Sequence, residues 1–115
     1  MVRPTPVARP LGQLRGIVPV PAEFDEVMVT GISLDSRQII PGDIYAALAG
    51  EHHHGATFAP EAVAAGAIAI LTDAQGQQLA AELGVPVLVA ADPRGLLGAV
   101  SAWVYGKPSE GMTLI

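Results

Sequence analysis

The sequence predicts an α/β fold: a small, mostly parallel (mixed) sheet flanked by helices. Three observations carry that prediction. Short apolar runs of strand length alternate with segments of helical spacing. The helical segments start at capping residues and stop at glycines, as Asp92-Pro93 and Gly106 do for the last of them. Single strands alternating with single helices favour parallel pairing through right-handed crossovers.

Residues 1–10 read as a loose lead-in, with Pro4, Pro6 and Pro10 breaking any helix. Leu11 to Leu14 can make one helical turn, and Pro19 and Pro21 punctuate the stretch after it. Val27 to Leu34 reads as one strand, with Met28, Thr30, Ile32 and Leu34 on one face and Val29, Gly31 and Ser33 on the other. Pro41-Gly42-Asp43 is a turn, and Ile44 to Leu48 a short apolar strand. Phe58 to Ala65 is helical and Gly66 terminates it. Ala67 to Leu71 is the next strand. Asp73 caps a helix whose Leu79 and Leu83 lie four apart, and Gly84 ends it. Val85 to Ala90 is a strand. Leu96, Leu97, Val100, Trp103 and Val104 trace the apolar face of the last helix.

Composition bounds the function. With 115 residues, half of them apolar, the chain can build one domain with a modest core. A net charge of −5 with six Lys and Arg argues against nucleic acid or an anionic membrane as partner. It leaves room for a small phosphorylated ligand, which backbone N–H groups can hold. Without cysteine there is no disulfide, thiolate nucleophile or thiolate metal site. No signal-peptide core and no membrane-length apolar run is visible, so the expected compartment is the cytoplasm.

Ligands of open α/β sheets sit beyond the carboxyl ends of strands. Two such ends stand out, Leu34–Arg37 and Ala49–Phe58. At the first, Asp35 and Ser36 are ordinary turn residues, but Ser36 also offers a hydroxyl to a ligand. Arg37 can pair with Asp43 across the turn. At the second, Gly50-Glu51-His52-His53-His54-Gly55 allows three readings. One is a solvated loop. Another is a metal site, for which only His52 and His54 share a side of an extended segment, with no further histidine or cysteine to complete it. The third is a ligand loop whose flanking glycines admit close backbone approach. No metal site is expected. Gly106-Lys107-Pro108-Ser109 is not a P-loop, because Ser101 stands where the first glycine belongs and Pro108 splits the Lys-Ser pair.

Ile32-Ser33-Leu34-Asp35-Ser36-Arg37, Pro41 through Gly50, and then Gly55, Phe58, Ala62 and Gly66-Ala67 resemble the N-terminal domain of the Mur ligases. These ATP-dependent enzymes add amino acids to the UDP-linked precursor of bacterial peptidoglycan. Val104 to Ser109 and Met112 to Ile115 resemble the MurE type, which adds the third residue, more than the MurF type, which adds the terminal dipeptide. The resemblance covers about residues 27–115. It divides the chain into a lead-in (1–26), a UDP-binding domain (27–110) and the start of a central ATP-binding domain (111–115).

The resemblance also implies a ligand, UDP-MurNAc-L-Ala-D-Glu. Leu34 and Ser36 fall on positions that contact uridine, and Glu51, His52 and His53 on the loop that closes over uracil. Where the family often has Asp before the glycine, this chain has His54. ATP and Mg²⁺ belong to the central domain, also the partner of this one, so no catalytic residue is expected here and the domain alone should not turn over. The third amino acid, diaminopimelate or lysine, is selected beyond this chain. The alternatives are a free-standing α/β phosphate- or nucleotide-binding module without catalysis, or the N-terminal domain of the related MurF-type ligase.

Overall fold

The computed structural model describes residues 8–50 and 53–105. Among them, four parallel strands lie in sequence order: β3 (Gly31–Ser33), β4 (Asp43–Ala46), β5 (Ala69–Thr72) and β6 (Val87–Val89). A separate antiparallel pair joins β1 (Arg9–Pro10) to β2 (Met28–Val29). The helices are α1 (Ala59–Ala65), α2 (Ala74–Ala80) and α3 (Pro93–Tyr105), supplemented by short 3-10 turns.

Both faces of the parallel sheet are covered, which is why its strands read as continuous apolar runs. Alternation along each strand splits the core in two. Ile44, Leu71 and Leu88 face one side, where they meet Leu11, Leu14 and Val29 with Val100 and Val104 of α3. Tyr45 and Ile70 face the other, against Ala59 and Ala62 of α1 and Ala80 of α2. Alanines on these helices bring the backbones close to the sheet. The register matches: Tyr45 stands opposite Ile70, and Ile44 opposite Ala69.

The punctuation behaves largely as expected. Asp73 Oδ1 accepts the Gly76 N–H at 2.8 Å, and Asp92 Oδ1 accepts that of Gly95 at 3.2 Å. Gly66 closes α1 with φ of 119°; a Cβ there would also strike the Pro41 backbone at 2.6 Å. The signals at Gly106 and Pro108, and the run from Gly111 to Ile115, lie outside the described residues.

Three expectations from residue 27 onward are corrected. Val27 to Leu34 is not one strand. It breaks at Thr30, because Met28–Val29 pairs with β1 whereas Gly31–Ser33 pairs with β4. Val29 and Ile32 consequently pack into the same core, which an unbroken alternating strand would forbid. The helix after Asp73 does not bury Leu79, which is 49% exposed. It presents Gly76 and Ala80 inward, and Leu83 packs after the helix has ended. Finally, Arg37 does not reach Asp43. Asp43 is buried and takes the Ile40 N–H on Oδ2 at 3.1 Å.

The lead-in expected over residues 1–10 is not loose throughout, because Arg9–Pro10 forms β1 against β2, and the segment that follows contributes core. Leu11 and Leu14 are fully buried, and Arg15 folds the segment back by donating to the Val20 carbonyl at 2.6 Å and pairing with Asp25.

Candidate functional site at the strand ends

Because β3 and β4 are parallel neighbours, their carboxyl ends open on the same edge. There a cleft of about 520 Å³ is lined by Leu34, Asp35, Ser36, Arg37, Tyr45 and Phe58, with Glu61 of α1 at its side. The turn after β3 builds one wall. Ser33 Oγ accepts the Asp35 N–H at 3.1 Å, and Asp35 Oδ1 accepts the Arg37 N–H at 2.9 Å. These two bonds curl residues 33–37 so that Ser36 turns inward and is buried while Leu34 stays half exposed.

Arg37 also grips Asp35 through its side chain, at 3.1 and 3.2 Å. That contact holds the Asp35 carboxyl below the usual carboxylate range and raises the guanidinium. The Tyr45 phenol is pushed upward, first by burial and then by the charges of Asp35 and Glu61. It therefore stays a donor, and its hydroxyl donates to the Gly55 carbonyl at 2.8 Å. The cleft thus combines two apolar surfaces, Leu34 and Phe58, with the hydroxyls of Ser36 and Tyr45, the Asp35–Arg37 pair and the Glu61 carboxylate. With Asp35 matched by Arg37, Glu61 is the carboxylate left without a cation in this lining, and the two apolar walls suit a flat ring with polar edges.

The histidine loop begins where β4 ends. Its ends meet in an isolated bridge between Ala49 and His54; Gly50 N–H donates to the His53 carbonyl at 3.1 Å and Gly55 N–H to that of Leu48 at 2.8 Å. Both glycines are required by this closeness. A Cβ on Gly50 would lie 2.8 Å from the His53 oxygen, and one on Gly55 2.9 Å from Leu48 N. Arg94, on α3, donates to the Ala49 carbonyl at 3.4 Å. The His53 ring meets Phe58 edge-on at 6.4 Å between centroids, joining the loop to the cleft.

His54 turns the other way and is buried. Its Nδ1 accepts the Ala56 N–H at 3.0 Å and its Nε2 lies 2.8 Å from Asp73 Oδ1. The acceptor role of Nδ1 puts the ring proton on Nε2, which donates to the carboxylate. Both nitrogens are engaged, so His54 has no lone pair left for a metal. Among the described residues no group of three or more His, Cys, Asp or Glu is placed to hold one.

Residues 28–104 match the family model described as Mur ligase family, catalytic domain. The chain belongs to the Mur ligase family. Relatives include the UDP-N-acetylmuramoyl-L-alanyl-D-glutamate--2,6-diaminopimelate ligase of Streptomyces avermitilis, 46% identical over 94% of this chain and 21% of the relative. The UDP-N-acetylmuramyl-tripeptide synthetase of Leifsonia xyli is 47% identical over 95% of this chain and 22% of the relative. The chain therefore spans about a fifth of the length of these curated relatives. Among solved structures, MurF of Acinetobacter baumannii shares the fold with a TM-score of 0.64 and 24% identity, covering 87% of this chain and 22% of that one.

Within this Mur ligase domain, Leu34 and Ser36 line the cleft directly, and His53 reaches its edge through Phe58. Glu51 and His52 lie outside the described residues. Phe58 stands at the limit of the second strand end singled out in the sequence, but neither it nor Tyr45 or Glu61 was among the residues assigned to ligand contact. Tyr45 and Phe58 stood in the family pattern as strand and helix residues, and only the packing of α1 against β4 brings them beside Leu34. No local signal marks Glu61. Among the described residues no helix is long and apolar enough to cross a membrane.

Proposed function

We propose that this domain binds the uridine end of UDP-MurNAc-L-Ala-D-Glu for a MurE-type ligase, which adds the third amino acid, diaminopimelate or lysine, to the peptidoglycan precursor. The observation that carries the proposal is the cleft at the ends of β3 and β4, where Leu34 and Ser36 face Phe58. The names of the sequence relatives suggest the substrate class. Uracil lies between Leu34 and Phe58, and the Ser36 hydroxyl bonds its edge or the ribose. The carboxylate of Glu61 accepts from ribose hydroxyls, and the diphosphate points away from it. Glu51, His52 and His53 cover the base through their backbone.

ATP and Mg²⁺, which drive amide formation in such ligases, would be held by a central domain, with which this one works in the cytoplasm. In this reading the domain alone is inactive.

The test is titration of the isotope-labelled domain with UDP-MurNAc-L-Ala-D-Glu, followed by NMR, with orthophosphate as control. Shifts at Leu34, Ser36, Gly55 and Phe58 that orthophosphate does not reproduce are expected. Ser36→Ala should weaken affinity by about 0.5–1.5 kcal/mol, the worth of one neutral hydrogen bond, while leaving the melting temperature nearly unchanged. No shift at these residues at millimolar ligand would remove uridine from the cleft.

A further inference from the structure

We infer that His54 is a positioning residue: it latches the ligand loop to the β5–α2 corner through Asp73, and so presets the loop for the uridine group. The inference rests on the reading of the cleft given above. Its geometry is independent of any ligand.

The His54 side chain leaves the loop on the face opposite His53. Its Nδ1 caps the 3-10 turn Gly55–Phe58 by accepting from Ala56 N–H, and that turn ends in Phe58, a wall of the cleft. Its Nε2 donates to Asp73 Oδ1, the same oxygen that caps α2 through Gly76 N–H. One imidazole thereby joins the loop, the turn leading into α1 and the start of α2. The contact is well enclosed, with the His54 side chain 5% and that of Asp73 24% exposed.

The surroundings are shaped to admit the ring. A Cβ on Gly76 would sit 2.8 Å from His54 Cε1 and closer still to Thr72 Oγ1. Thr72 is itself fixed, its hydroxyl donating to the Ala47 carbonyl at 2.8 Å, one residue past the end of β4. A surface histidine with no task beyond solubility needs no glycine opposite it. The same end of the loop is held by Tyr45 as well, through the Gly55 carbonyl. The end of the loop that leads into Phe58 is thus held before a ligand arrives, which lowers the entropy lost on binding.

Two substitutions separate the latch from the caps. His54→Asn keeps an acceptor for Ala56 N–H, since Asn is a good capping residue, but its side chain ends one atom short of the position of Nε2. Asp73→Ser likewise keeps the cap on α2 and cannot reach His54. The 115-residue chain and these variants, single and combined, are measured for affinity to UDP-MurNAc-L-Ala-D-Glu and for amide exchange, well below their melting temperatures. An imidazole nitrogen correlation spectrum of the unsubstituted chain reports the tautomer.

We expect the Nε2–H tautomer, faster exchange at Gly50 and Gly55 in each variant with the β5 amides unchanged, and affinity reduced about tenfold by either substitution. The double variant should be no worse than the singles, because both remove the same contact. Unchanged affinity in both single variants, with the unsubstituted chain binding well, overturns the latch and leaves the uridine reading standing. Additive losses in the double variant also overturn it. An unsubstituted chain that does not bind the nucleotide overturns the uridine reading, and with it the role of the latch in binding.

Discussion

The Tyr45 hydroxyl donates to the Gly55 carbonyl at 2.8 Å, tying the floor of the cleft to the end of the histidine loop. Tyr45 sits in the middle of the sheet, on β4, and is almost completely buried. Its bond ties the sheet to the backbone at Gly55, where the loop leads into the turn ending at Phe58.

Tyr45→Phe should therefore do two things. Losing one buried hydrogen bond should lower stability by about 0.5–1.5 kcal/mol, or somewhat more, because the Gly55 carbonyl is left without that donor. Urea denaturation gives the first number. Precursor affinity should fall in parallel, since the phenol itself lines the cleft. A variant as stable as the parent chain would show that the bond contributes nothing.

Gly76→Ala should destabilise the domain although it sits inside a helix. Helix propensity alone favours Ala over Gly by about 1 kcal/mol. Here the added methyl meets the Thr72 hydroxyl and the His54 ring, both held by other bonds. Steric conflict in a packed region costs about 1–3 kcal/mol and should outweigh the propensity gain. Thermal melts of the variant decide the sign; a raised melting temperature would refute the packing argument.

Acid should weaken the corner at Asp73. The Gly76 N–H first, and the His54 ring after it, hold the Asp73 carboxyl below its ordinary value of 3.8. Folding therefore favours the ionised form. That contribution is fully present above the ordinary value and is lost as pH falls through the folded one. Urea midpoints measured from about pH 5 down to pH 2 should drop less steeply for Asp73→Asn than for the parent chain. Parallel curves would exclude Asp73 from the acid limb.

Zinc should not raise the melting temperature. A metal bound tightly to the native state would raise it by mass action. His54, the partner that an extended-strand site would require of His52, already uses both ring nitrogens. A zinc-dependent shift that vanishes on replacing His52 and His54 would mean that the loop rearranges around the metal.

The sequence alone determined the class of fold and the alternation of strands and helices from β4 onward, and it pointed to two strand ends as places for a ligand. Those properties are local. Asp73, Asp92 and Gly66 act on backbone within a few residues of themselves, and apolar runs of strand length announce a sheet covered on both faces. The family resemblance was legible for a related reason, since turn and cleft residues keep fixed spacing along the chain.

Tertiary structure decided what depends on distant partners. Period-two alternation could not show that Val27 to Leu34 exchanges β1 for β4 as its neighbour at Thr30. Nor could helical spacing show that α2 would turn Gly76 and Ala80 inward and leave Leu79 in solvent, because that choice is made by the His54 and Thr72 side chains it meets. The assembly of Leu34, Tyr45, Phe58 and Glu61 into one cleft, and the pairing of His54 with Asp73, join residues that only packing brings together. A sequence pattern records what a residue does to its own backbone; which side chain it will face is fixed only when the layers close.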